Sequence, residues 1–196
     1  MKKLIIIICL LFAVDVSFAQ QNFETRLSNA AISLTKTKVS YDGTYYRIPY
    51  PNGDVPADKG VCTDVVIRAY RLVGIDLQKL VHEDMTKNFS KYPQNWGRKT
   101  PDASIDHRRV PNLMTFFGRF GKTKTLSDNA ADYTPGDIVA WDLGHGLTHI
   151  GIVINQRSAD NKRYLIVHNI GHGQEISDCV FSYKIIGHYY YTGSVR

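Results

Sequence analysis

The period of the hydrophobic pattern changes once along this chain, and that change limits what it can fold into. Before the turn signal Tyr133-Thr134-Pro135-Gly136, apolar residues recur at helical spacing. Residues 23–38 put Phe23, Leu27, Ala30, Ala31 and Leu34 on one helical face, and residues 62–74 do the same with Val65, Val66, Ala69, Tyr70, Leu72 and Val73. Residues 110–120 read as a third helix entered at Pro111, because proline is tolerated in a first turn. After the turn the pattern becomes short, β-branched and aromatic: residues 137–143, 149–155, 164–170 and 180–192 read as strands, with Ser158 to Asn161 as a hairpin loop. Helices first and strands after predict an α+β domain, with N-terminal helices packed on a C-terminal antiparallel sheet. Residues 84–100 show no clean period and read as loop with a short helix.

The chain has 196 residues, of which 43% are hydrophobic and 21% charged, enough to bury a core without disulfide staples. The start is different in kind. Met1-Lys2-Lys3 leads into an unbroken apolar run from Leu4 to Val14, and Val16-Ser17-Phe18-Ala19 offers small residues for a signal peptidase. The run is too short to span a bilayer, which needs about 20 apolar residues. Residues 1–19 therefore read as a cleaved signal, residues 20–196 as a single domain, and the protein as exported to the periplasm or medium with no transmembrane anchor. A formal charge of +6 suits an anionic partner such as a wall polymer. No basic run interleaved with aromatics points to nucleic acid.

Beyond the signal only Cys62 and Cys179 remain, and they form either one disulfide or at least one working thiol. Cys62 follows a glycine-containing loop and opens a helix, where unpaired N–H groups and the helix dipole favour a thiolate and can hold an oxyanion. That placement predicts an acidic, reachable nucleophile. Cys179 lacks these features and reads as structural. A general base is supplied by His149 at the start of a strand. The orienting group falls on the following strand, at His168 or, on the other face, at Asn169.

The segment Tyr41–Gly60 holds four tyrosines, three prolines and three glycines, an ordered loop either packed by its own tyrosines or walling a substrate groove. Tyr46 and Tyr50 are its candidate substrate contacts, with Asp64 just after the nucleophile. Asp106-His107-Arg108-Arg109 is a charged cluster before a helix, either a solvated helix entry or a carboxylate site to which Asp106, His107 and Arg108 contribute. Asp142 is a further polar candidate. His145 with His149, and His168 with His172, have a spacing that on a helix would suggest zinc. Here they lie in loop and strand, so no metal or other cofactor is expected. A zinc hydrolase and a non-catalytic wall-binding module stand as alternatives.

Tyr133-Thr134-Pro135-Gly136-Asp137-Ile138-Val139, followed by Thr148-His149-Ile150-Gly151-Ile152-Val153-Ile154, resembles the pattern of NlpC-type cell-wall peptidases. The stretches Tyr45 to Pro51, Gly60 to Asp64 and Asp106 to Arg109 resemble the uncharacterised bacterial DUF1287 family, taken as a branch of the same superfamily. The resemblance implies a papain-like fold, a Cys62-His149-His168 triad and cleavage of amides in peptidoglycan stem peptides. Two departures stand out. Val61-Cys62-Thr63-Asp64 replaces the usual Asp-Cys-Ser-Gly, and the Gln156–Arg163 loop stretches the spacing between the two histidines.

Overall fold

The computed structural model describes residues 23–193; the expected signal peptide, residues 1–19, lies outside the described residues. Helix α1 covers residues 23–34 and buries Leu27 and Ala31 completely. The two-residue strands β1 (Ser40–Tyr41) and β2 (Lys59–Gly60) pair in parallel and close the tyrosine-rich loop between them. That loop has no ladder of its own, so helix side chains satisfy its backbone. Arg68 donates to the carbonyls of Pro56 (3.3 Å) and Lys59 (2.9 Å) and to the Asp54 carboxylate. Gln78 accepts from Gly53 N–H at 2.7 Å and donates to the Pro49 carbonyl at 2.8 Å.

Helix α2 (Cys62–Leu72) starts where Val61 is still extended and its N–H donates to the Asp64 carboxylate at 2.7 Å. It stops before Gly74, whose φ of 91° suits a residue without Cβ. Helix α3 (Leu77–Asn88) is capped by Asp76, which accepts from Lys79 N–H at 3.1 Å. This helix takes in the first residues of the stretch expected to be loop with a short helix, and begins seven residues before it. It is mostly polar and docks through only a few buried residues, among them Leu77, Val81 and Met85, so it leaves a weak periodic signal. Helix α4 (Val110–Phe120) carries Pro111 in its first turn, as expected.

The sheet is built from β3 (Lys122–Thr123), β4 (Ile138–Gly144), β5 (Leu147–Arg157), β6 (Tyr164–His168), β7 (Glu175–Ser177) and β8 (Lys184–Tyr190). Its order is β3-β8-β4-β5-β6-β7, and every neighbouring pair is antiparallel. The fold is therefore α+β with an antiparallel sheet. The last expected strand begins late, because Ser182 N–H turns back onto the Cys179 carbonyl.

Both faces of the sheet are buried. Ala140, Ile150, Ile152 and Val167 pack with the helices, while Val139, Trp141, Val153 and Ile166 pack with Tyr133, Cys179 and Val180. Alternation along each strand assigns these faces. Gly151 sits between β5 and β6 at a close approach. A Cβ there would stand 2.6 Å from Ile166 Cγ2 and 3.2 Å from His168 Cβ. The missing side chain lets β6 lie close enough for His168 to reach His149. Among the described residues no helix is long and apolar enough to cross a membrane.

Candidate active site

Cys62 is the first residue of α2, as its sequence context predicts. The backbone N–H groups of Ile150, Thr63 and Cys62 itself favour a negative sulfur. They are outweighed. Cys62 is only 5% exposed, and burial, aided by the nearby Asp64 charge, pushes its thiol up to about 12. The expected acidic and accessible cysteine is corrected to a protonated, nearly covered one, because desolvation exceeds what helix-start dipoles return. Both Cys62 and Cys179 are free thiols.

His149, third residue of β5, lies opposite Trp141 of β4 and stacks on its indole, with centroids 5.7 Å apart. Its Nε2 is 2.8 Å from Nδ1 of His168, the last residue of β6. His168 Nε2 in turn meets the Ser177 hydroxyl, with the Glu175 carboxylate at 3.8 Å and Cys179 Sγ at 3.6 Å. One proton arrangement leaves His149 a usable lone pair. His168 Nε2–H donates toward Ser177 and Glu175, its Nδ1 accepts from His149 Nε2–H, and His149 Nδ1 stays free as base. Asn169, the other candidate, is occupied elsewhere. It donates to the Gly60 carbonyl at 3.2 Å and accepts from Gly171 and Gly173 N–H.

Burial, reinforced by His168, pulls His149 down to about 3, so its ring is neutral at pH 7. Ile150, which follows His149, supplies the strand N–H beside the Cys62 sulfur. Among the described residues no hydrogen bond joins Cys62 to His149. The resting thiol and imidazole are both neutral, and they are not in contact: Cys62 packs in the helix-side core with Ile150, whereas His149 stacks on Trp141 of the opposite sheet face.

The buried imidazoles set an acid limit on stability. His107 is likewise pulled down to about 3, first by burial and then by Arg108. Both folded values lie below the unfolded value near 6.5, so the unfolded chain binds more protons below that pH. Stability is fully present above pH 6.5 and falls as pH drops toward 3. The loss amounts to roughly 4 kcal/mol for the two rings at pH 5. Thermal unfolding followed by circular dichroism should show a falling Tm between pH 7 and 5, with a shallower fall in His107→Gln. A flat Tm in both proteins would contradict this.

A cleft of about 480 Å³ opens over Cys62, lined by Tyr41, Trp96, Arg108, Arg109 and Thr148 among others. Of the expected substrate contacts only Arg108 lines it, and its guanidinium is held internally. Nε and Nη2 lie 2.9 and 3.0 Å from the two Asp64 oxygens, with both side chains buried. The remaining candidates sit outside the lining. Tyr46 donates to Asp42 at 2.8 Å, Tyr50 packs edge-on to His82, and Asp142 accepts from Gly144 N–H in the β4–β5 turn. Asp106 is buried, accepts from Asp102 N–H, and is held above its ordinary value by burial; His107 is buried beside it in the same short turn. Sequence reasoning passed over Tyr41, Trp96, Arg109 and Ser177 as site residues. Arg109 stood in the charged cluster, whereas Trp96 carried no local signal and is brought in by tertiary packing.

Among the described residues no three of His, Cys, Asp and Glu converge in a way that could hold a metal ion.

Comparison with known proteins follows the same boundaries. Residues 28–191 match the family described as Domain of unknown function (DUF1287). Over 172 residues the chain is 49% identical to the uncharacterized protein YijF of Escherichia coli (strain K12), covering 88% of this chain and 83% of that protein. Among solved structures it is similar to an N-acetylmuramoyl-L-alanine amidase from Bacteroides uniformis ATCC 8492. That likeness has a TM-score of 0.49 and 16% identity over 86% of this chain and 97% of that one. With the family match running from α1 to just past β8, and about half its aligned residues shared with YijF, this chain belongs to the DUF1287 family.

Proposed function

We propose that the protein is an exported cysteine hydrolase that cleaves amide bonds in peptidoglycan stem peptides, on a papain-like scaffold of the NlpC type. The observation that carries this reading is the 2.8 Å His149–His168 pair at neighbouring strand ends, on the strand whose next residue, Ile150, turns its N–H to a cysteine that opens a helix. Export is supported by the pattern of residues 1–19, and the substrate by the motif resemblance.

In this mechanism His149 Nδ1 takes the Cys62 proton as Sγ attacks the amide carbonyl. Helix-start N–H groups stabilise the oxyanion. Collapse of the tetrahedral intermediate breaks the C–N bond, His149 returns the proton to the departing amine, and a thioester remains. Water, deprotonated by His149, then attacks the thioester to release the acid and restore the thiol. Because the thiol is protonated at rest, proton transfer and attack are coupled and no standing thiolate is required.

Purified protein incubated with peptidoglycan fragments should release products whose masses report a cut stem-peptide amide. His168→Ala should lower kcat by about 10²–10³-fold, whereas Asn169→Ala should act mainly on stability through the Gly171–Gly173 loop. The reverse ranking in initial-rate measurements would reassign the orienting residue. The high pKa of Cys62 and its missing bond to His149 favour a second reading, a binding module that does no chemistry. In that case no fragment is cut and Cys62→Ala binds them as well as the parent protein.

A further inference from the structure

We propose that Arg109, laid over Trp96, is the anchor for a substrate carboxylate in the cleft that holds Cys62. This rests on the hydrolase reading above and names what that site recognises.

The guanidinium carbon of Arg109 lies 4.0 Å from the centre of the Trp96 ring, and both residues line the cleft. Contact with the ring holds the guanidinium in the cleft without using its N–H donors, which stay available to a planar acceptor. Those donors have no hydrogen-bond or ion-pair partner among the described residues.

The acidic groups nearby are already engaged. Asp102 is bound by Arg98 at 2.7 Å, by the Tyr45 hydroxyl and by Ser104 N–H. Asp106 accepts from Asp102 N–H and faces His82. Arg108, the other charged residue of the lining, is neutralised by Asp64. Arg109 is therefore the charged lining residue without a direct ion-pair partner; burial lowers its pKa below the ordinary arginine value, and the more distant Asp106 and Asp102 charges offset that only in part. A partly desolvated guanidinium without a direct ion pair is matched by a carboxylate, which it can hold through two parallel hydrogen bonds. Stem peptides carry such carboxylates, and amidation removes the one it modifies.

The test uses stem-peptide fragments with free carboxylates and the same fragments amidated. Wild-type protein should cleave the free form with KM about ten- to hundredfold lower than the amidated form. Arg109→Gln should raise KM for the free form by that factor, keep kcat within about threefold and erase the preference. Arg109→Lys, which keeps the charge but loses the fork, should fall between. Equal KM values for the two fragments in wild type, or a preference that survives in Arg109→Gln, would overturn the proposal.

A second readout separates its failure from failure of the hydrolase reading. In Cys62→Ala, titration of the same fragments followed by Trp96 fluorescence, with Trp96→Phe as control, should show tighter binding of the free form. If wild type cuts neither fragment but this preference persists, the hydrolase reading fails and the carboxylate anchor stands. If cleavage occurs without any preference in binding, the anchor fails alone.

Discussion

Cys62→Ala should reduce stem-peptide hydrolysis to background, a loss of at least about 10³–10⁴-fold in kcat, while the protein stays folded. The expectation has two sources. No other group on α2 can form the thioester, and without it His149 has no nucleophile to deprotonate. The small stability effect follows from packing. Cys62 belongs to the helix-side core, and trading its sulfur for a methyl hydrogen removes one buried heavy atom, costing about 1 kcal/mol. Rates measured on muropeptides, with unfolding curves run in parallel, separate the two effects. A variant that is fully folded and still cleaves would remove Cys62 from the mechanism.

Asp64→Ala should destabilise the protein by about 3–5 kcal/mol, the typical cost of leaving a buried charge unpaired. The two oxygens of Asp64 hold Arg108 and the N–H of Val61, so one carboxylate both neutralises a buried guanidinium and starts α2. Arg108 continues the connection to the Thr44 and Asp42 carbonyls, tying the tyrosine-rich loop to the same point. Replacing the pair together, as Asp64→Leu with Arg108→Met, should recover much of the loss, because no charge is then stranded. Denaturant unfolding of the three variants checks the order. If Asp64→Ala instead left stability unchanged and raised KM, Asp64 would be a substrate contact.

The parts of the site that sequence made legible are those set by local pattern. Cys62 at a helix start follows from the period change after Gly60, and His149 beside His168 follows from two adjacent antiparallel strands. The choice between His168 and Asn169 was not legible, because alternation distinguishes faces only when one of them is wet. Here helices cover one face and the Tyr133–Val180 segments the other, so both read as apolar. Helix α3 was hidden by its polar composition. The cleft wall depended on tertiary packing that sets Trp96 against Arg109, thirteen positions apart with no periodic relation. The thiol's protonation state was out of reach for a similar reason. A helix start can be read from the chain, but the degree of burial that opposes it cannot.

That burial has a chemical consequence for the life of the protein. With burial pushing the thiol far above the ordinary cysteine range, the thiolate is far scarcer at pH 7 than in an exposed cysteine. The thiolate is the form that attacks peroxides and disulfides, so burial, which also raises Cys179, makes the two free cysteines among the described residues chemically quiet at rest. In the exported hydrolase proposed above, a cysteine that ionises only when substrate is seated would endure an oxidising compartment without a reductant to restore it.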